Sequence, residues 1–288
     1  MDLTVKLKYR RWKATNKYKI PLLLWVVFEA IAITLWLFLD NLFYLLNFTY
    51  IGTAIAVGLV LYIAGFKYAR MMVQLTVGLY MLVYLGIISR ENMQIEGFWY
   101  YLFLGVFQAA VIHYLVAKIV GPLLFGRGWC GYACWTAMVL DFLPYKTPQK
   151  PRREKLGRLR IITFILSFLY VFILFHLYPN NLENLMFISF IVGNVIYYAI
   201  GIILAFTFKD NRAFCKYICP ITVFLKPASY FSVFRIKVDT NACISCGKCK
   251  RACPMEVDMM DNNHSRKNGT ECILCFECKK ACPTKAIK

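Results

Sequence analysis

A mainly α fold is predicted, in which a helical membrane domain of six spans precedes a small α+β domain. Three observations predict it. Of 288 residues, 60% are hydrophobic and 17% charged, against roughly 45–50% and 25% in soluble domains. The apolar residues gather in long runs before residue 208, and all twelve cysteines lie at or beyond residue 130. Eight of those cysteines fall in one polar C-terminal stretch. The chain divides into a basic arm (1–19), a membrane domain (20–235) and a small domain (236–288).

The arm carries Lys6, Lys8, Arg10, Arg11, Lys13, Lys17 and Lys19. The apolar run after it is longer than a secretory signal requires and lacks a small-residue cleavage site, so it is expected to be an uncleaved first span. Six runs have spanning length: about 20–39, 49–66, 71–89, 98–122, 161–178 and 186–207. Only Lys67–Arg70 separates the second from the third, which implies a tight hairpin or one partly re-entrant segment. The loops 40–48, 90–97 and 179–185 hold one basic residue, Arg90. The other side holds the arm, Lys67, Arg70, the run Lys146–Arg160, Lys209 and Arg212. Positive charge marks the cytoplasmic face. Both termini and the small domain are therefore expected on the cytoplasmic side of a multi-pass protein of the cell membrane. The formal net charge of +19 is spread over short loops beside spans. That placement suits contact with membrane lipid headgroups and argues against nucleic acid as a partner.

The small domain reads C-x2-C-x2-C-x3-C-P twice: Cys243, Cys246, Cys249, Cys253-Pro254, then Cys272, Cys275, Cys278, Cys282-Pro283. This spacing gives three thiolates to one [4Fe-4S] cube and sends the fourth to its neighbour. On that pattern Cys243, Cys246, Cys249 and Cys282 hold one cluster, and Cys253, Cys272, Cys275 and Cys278 the other. Each proline prevents regular helix from continuing into the fourth ligand. Zinc knuckles also use C-x2-C pairs, but need only four cysteines and no C-P exchange. A disulfide framework conflicts with the crowded spacing and with a reducing compartment. The stretch resembles the bacterial two-cluster ferredoxin module, from Val238-Asp-Thr-Asn-Ala-Cys243 to Cys282-Pro-Thr-Lys-Ala-Ile287. The rim Lys248, Lys250, Arg251, Lys279 and Lys280 would either steer an acidic soluble electron carrier or only solvate the domain.

The other four cysteines form an internal repeat: Arg127-Gly-Trp-Cys130-Gly-Tyr-Ala-Cys134 and Arg212-Ala-Phe-Cys215-Lys-Tyr-Ile-Cys219-Pro220. Each follows a hairpin of spans returning to the cytoplasmic side, as in parallel transporter repeats. In a helix, C-x3-C places both thiols on one face. Two such faces would present Cys130, Cys134, Cys215 and Cys219 to a third cluster or another soft-metal site. The alternatives are a redox thiol pair without metal, or buried thiols that only pack. Trp129 and Phe214 would shield such a site from water.

His113 and His176 are the histidines within spans; their expected depths differ, which disfavours one bis-histidine haem. Either would suit a quinone headgroup, and Glu29 in the first span either a proton from quinol or helix packing. His264 falls in the polar loop Asp261–Thr270 and is expected to be solvated.

Taken together, the spans, the paired C-x3-C motifs and the two-cluster tail resemble the NapH/NosR-type membrane polyferredoxins, a group that includes FixG/CcoG-type oxidase maturation proteins. The resemblance runs from about residue 60 to the end. It implies an electron-transfer subunit of an oxidoreductase complex, with no catalytic residue of its own. Electrons would pass between the quinone pool, or another membrane donor, and a partner oxidoreductase subunit. A copper-type metal reductase or maturation factor is the alternative, and a structural anchor for partner subunits a third. One departure stands out: Trp135 follows Cys134 where the family pattern has proline, whereas Pro220 is kept.

Overall fold

The computed structural model describes residues 18–106, 110–178, 181–260 and 268–288. Most of the basic arm, and His264, lie outside the described residues. The described chain is mainly helical and falls into two compact units, Met1–Val77 and Gly78–Lys288.

In the first unit, α1 (Lys19–Leu39) and α2 (Leu42–Ile63) form a hairpin. Its turn is two residues long, not the loop 40–48 expected from sequence. Asp40 takes the left-handed conformation, and the Asn41 side chain accepts from Phe43 N at 2.9 Å, capping α2. Gly52 lets the two backbones approach, because a Cβ there would meet Phe28 Cβ at 2.4 Å. Glu29 accepts from Thr49 Oγ1 at 2.8 Å, which is the helix-packing reading of that residue. After α2, Gly65 at φ +88 closes the helix, and α3 (Ala69–Ile88) begins four residues later, so the short Lys67–Arg70 link is a tight turn.

Within the second unit, α8 (Leu159–Leu177) and α9 (Leu182–Phe208) are long and uninterrupted. Five helices are long and apolar enough to cross a membrane: α1, α2, α3, α9, and α8 with its short 3-10 lead-in from Glu154. They turn apolar side chains outward, among them Phe38 at 83% and Leu177 at 65% exposure. In water such faces would be costly; in hydrocarbon they are solvated. The sixth expected span, 98–122, is not one helix among the described residues. It consists of α4 (Ile95–Phe103) and α5 (Ala110–Phe125), with Gly105 at φ +69 between them. A left-handed glycine ends α4, and α5 is then shorter than a full span.

The second unit also holds four short helices: α6 (Gly128–Tyr132), α7 (Trp135–Leu140), α10 (Ala213–Tyr217) and α11 (Thr222–Tyr230). The C-terminal domain holds α12 (Lys248–Arg251) and α13 (Glu277–Ala281). The expected β component is reduced to one antiparallel bridge, Val238 with Ile287, among the described residues. Its ends are tied by Lys288 N to Lys237 O at 2.9 Å and Asp239 N to Ala286 O at 2.8 Å. The loops that must wrap the cysteines leave too little chain for a ladder.

Candidate iron-sulfur site

The two halves of the C-terminal domain repeat in backbone conformation as well as in sequence. Cys243 and Cys272 stand 29 residues apart, and three pairs at the same offset share left-handed φ: Ser245 and Leu274, Gly247 and Phe276, Glu256 and Lys285. The helices α12 and α13 match at that offset too. Left-handed residues alternating with right-handed ones turn successive N–H groups inward, into concavities that suit anionic sulfur clusters. Leu274 and Phe276 hold this conformation without being glycine, a cost of about 1–3 kcal/mol each. N–H groups do reach the sulfurs. Ser245 N donates to Cys243 Sγ and Val257 N to Cys253 Sγ, both at 3.4 Å.

Mutual electrostatics group Cys253 with thiols of the second motif. Burial raises the Cys278 thiol, and Cys272, Cys275 and Cys253 raise it further. Burial pushes Cys253 up to about 11, with Cys275 adding to it. Cys253 from the first motif thus stands among the thiols of the second. In the other set, burial and then Cys243 affect Cys249, while backbone N–H groups counter them. Exposure separates the sets. Cys253, Cys275 and Cys278 are buried, whereas Cys246 is exposed beside Ile244, itself 65% exposed.

The C-x3-C repeats share one geometry 85 residues apart. Cys134 N and Cys219 N donate to Trp129 O and Phe214 O, at 3.2 and 3.0 Å. The motif is not a continuous helix, contrary to the sequence expectation. Cys130 lies on α6, but Cys134 has extended backbone and caps α7. The four thiols still share an environment. Burial pushes Cys215 up to about 11, where Arg212 opposes and Cys134 and Cys130 add to the rise. Burial raises Cys219, and Cys215, Cys130 and Cys134 all act in the same direction. Thiolates are the donor type that soft metals and iron-sulfur clusters select, although among the described residues no three of them are gathered closely enough to hold a single metal ion. Phe214 is buried against Tyr197, with ring centroids 5.1 Å apart. Trp135 has a role proline could not fill: its indole donates to Asn194 on α9 at 2.8 Å.

The second ferredoxin motif sits directly on the first C-x3-C motif. Arg127 N donates to Cys272 O at 3.3 Å and the Tyr132 hydroxyl to Leu274 O at 3.0 Å. A Cβ on Gly131 would stand 2.3 Å from Ile273 O. Cys130, Cys215, Cys253, Cys275 and Cys278 belong to one buried cluster with Leu225 and Ile273.

Sequence reading missed the charges that lock this contact. Glu271, 2% exposed and adjacent to Cys272, pairs with Arg127, with Arg160 at 2.8 Å, and with Arg152 and Lys226 at 3.1 Å. Burial alone would raise its carboxyl, but Arg127, Arg160, Arg152 and Lys226 hold it well below the usual carboxylate range. Arg160 also donates to Cys215 O at 2.9 Å. Arg212 joins Asp141 at 2.5 Å and donates to Cys130 O at 2.9 Å. Fully buried Lys216 joins Asp210 at 2.8 Å and Glu256 at 2.6 Å. The one available signal was scarcity: acids number 15 against 34 bases, and one of them abuts a cysteine of the C-x2-C-x2-C-x3-C-P motif.

The two histidines differ in setting. His113 is buried with its ring 4.9 Å from Trp129. His176 is exposed, and its Nδ1 stands 2.9 Å from Phe172 O of its own helix.

Residues 235–283 match the family described as a 4Fe-4S dicluster domain. Residues 101–154 and 194–239 match a second family, described as a 4Fe-4S binding domain; these segments contain both C-x3-C motifs. Two uncharacterized proteins of Methanocaldococcus jannaschii, MJ0749 and MJ0750, are 26% and 30% identical over 159 residues. Those alignments cover 53% and 51% of this chain, and 61% and 66% of the relatives. A protein of Escherichia coli K12 named "Putative electron transport protein YccM" is 23% identical over 168 residues, 52% of this chain and 47% of that one. The match thus spans less than two thirds of each relative's length. No solved structure matches. The chain therefore carries 4Fe-4S ferredoxin-type sequence in its C-terminal domain and again over the two segments that hold the C-x3-C motifs, next to helices of membrane-spanning character.

Proposed function

We propose that this chain is a membrane-bound iron-sulfur electron-transfer protein holding three [4Fe-4S] clusters in series. Cys130, Cys134, Cys215 and Cys219 hold the first. Cys253, Cys272, Cys275 and Cys278 hold the second, and Cys243, Cys246, Cys249 and Cys282 the third. The observation that carries this reading is the seating of the Cys272–Cys275 loop on the Gly128–Tyr132 turn. Cys253, Cys275 and Cys278 share a buried cluster with Cys130 and Cys215, whereas Cys246 is exposed, which supports this order. The clusters supply the one-electron chemistry. The chain supplies burial, hydrogen bonds to sulfur and buried charge, the quantities that tune such potentials.

On this reading α4 and α5 together make the sixth crossing, and the ferredoxin end faces the cytoplasm. Electrons pass between the quinone pool, or another membrane donor, and a soluble carrier or partner oxidoreductase subunit at the Cys246 end. Lys146, Lys150, Arg153, Lys155 and Arg158 remain as the basic mark of the inner face; Arg160 and Arg212 are engaged in buried ion pairs.

Iron and sulfide counts with EPR on anaerobically purified chain test the proposal. About twelve iron per chain is expected, falling to about eight in a Cys130→Ser, Cys215→Ser variant, with the ferredoxin signals kept. An unchanged iron count would refute the four-cysteine cluster. Quinol-driven reduction of the clusters in lipid, set against Cu(II) turnover, separates electron relay from metal reduction.

A further inference from the structure

Five cations are buried around the C-x3-C thiols, and four of them have a carboxylate. Arg127 and Arg160 share Glu271, Arg212 has Asp141, and Lys216 has Asp210 and Glu256. Lys118 is the exception. It is 3% exposed, and none of the ion pairs among the described residues includes its ammonium. Its Nζ lies 4.2 Å from the centroid of the Trp129 ring, the residue preceding Cys130. Its electrostatic neighbours are Cys134, Cys130 and Cys219. It sits on a π-helical segment of α5, Leu115–Val120, a local distortion frequent at functional sites.

Burying an ammonium without an anion costs several kcal/mol, so a lone buried lysine is retained where an anion faces it. Cation–π attraction to Trp129 offsets only part of that cost. The anion that the surrounding groups define is a thiolate-ligated cluster, which is negative in both oxidation states. We propose that Lys118 is the dedicated counter-charge of the four-cysteine site, held by Trp129, and that it sets the redox potential of the cluster there. It is a positioning and tuning residue and not a ligand. The proposal rests on the three-cluster reading above. It adds an asymmetry the repeat does not carry, since Ile203 occupies the corresponding place before Cys215.

A redox titration of the EPR signals in the full-length protein tests it, using Lys118→Met, Lys118→Arg and wild type with iron counted for each. Removing a buried positive charge favours the oxidised, less negative cluster. In Lys118→Met the reduced-to-oxidised ratio of one signal should fall at least about tenfold at fixed poise, a shift of about 59 mV downward. Lys118→Arg should retain the wild-type potential, and the other signals should not move. Loss of about four iron in Lys118→Met but not in Lys118→Arg also supports the assignment, because the charge is then needed for assembly. An unshifted potential at full iron would overturn it, as would equal iron loss in both variants. A wild-type count of about eight iron would overturn the three-cluster reading itself, and is recognised without any variant.

Discussion

Replacing Glu271 with glutamine tests whether buried charge fastens the ferredoxin domain to the helices beneath it. The carboxylate faces four cations, but they do not count equally. Arg127 and Arg160 have side chains 0% and 4% exposed and have nowhere to go. Arg152 at 14% and Lys226 at 38% lie nearer water. Removing one partner of a buried pair costs about 3–5 kcal/mol, because the remaining charge is uncompensated. Two such cations share one anion, so the losses are not additive and the same range holds for the whole knot. At about 2–4 °C per kcal/mol, the midpoint for thermal loss of cluster absorbance should fall by roughly 6–20 °C. The control is Glu277→Gln, whose pair with Lys280 is 42% and 46% exposed; exposed pairs contribute about 0–1 kcal/mol. The sign with pH is also fixed. A carboxylate held below its ordinary range stabilises above that range, and the contribution is lost as pH falls through the depressed value. Wild type should therefore keep its advantage over Glu271→Gln from neutral pH down past 5, the two converging only in stronger acid. Equal melting of Glu271→Gln and Glu277→Gln at pH 7 would refute the reasoning.

Two further outcomes follow from single contacts. Gly131→Ala sets a methyl 2.3 Å from Ile273 O, a backbone atom that cannot rotate away. A loss of about 1–3 kcal/mol in thermal stability is expected, with slowed reduction of the ferredoxin clusters from the membrane side in stopped-flow absorbance. Glu91, near the end of α3, has its carboxyl pushed up to about 7 by burial, from an ordinary value of 4.5. The folded chain keeps a proton that the unfolded chain gives up, so stability is full below about 4.5 and declines as pH rises through 7, by roughly 3 kcal/mol. Glu91→Gln should flatten that decline in melting curves taken across this range.

The cysteine spacing carried most of what was legible in the sequence. C-x2-C-x2-C-x3-C-P specifies loop, turn and helix start so tightly that the 29-residue offset reappears in backbone angles. Span positions were legible to within a few residues where apolar runs were unbroken, as at α1, α8 and α9. The failures have identifiable causes. The loop expected at 40–48 vanished because Leu42–Leu46 continues the helix behind the Asn41 cap. The stretch 98–122 reads as one apolar run, but Gly105 in the left-handed region interrupts it, and hydropathy does not register backbone angle. C-x3-C suggested a continuous helical face, whereas Cys134 turns out of the helix to begin another. The buried ion pairs were invisible because Arg160, Arg212, Glu256 and Glu271 meet across long separations in chain.

The clamps on the two C-x3-C turns have a bearing on the order of events during synthesis. Cys130 O is held by Arg212, and Cys215 O by Arg160, whose own anion is Glu271. A nascent chain that has delivered only its first pair of thiols lacks the guanidinium that fixes their turn. It still lacks the acid that neutralises Arg127 and Arg160 when its second pair emerges. The turn that is translated first is thus held in full only once the chain has been made as far as Glu271.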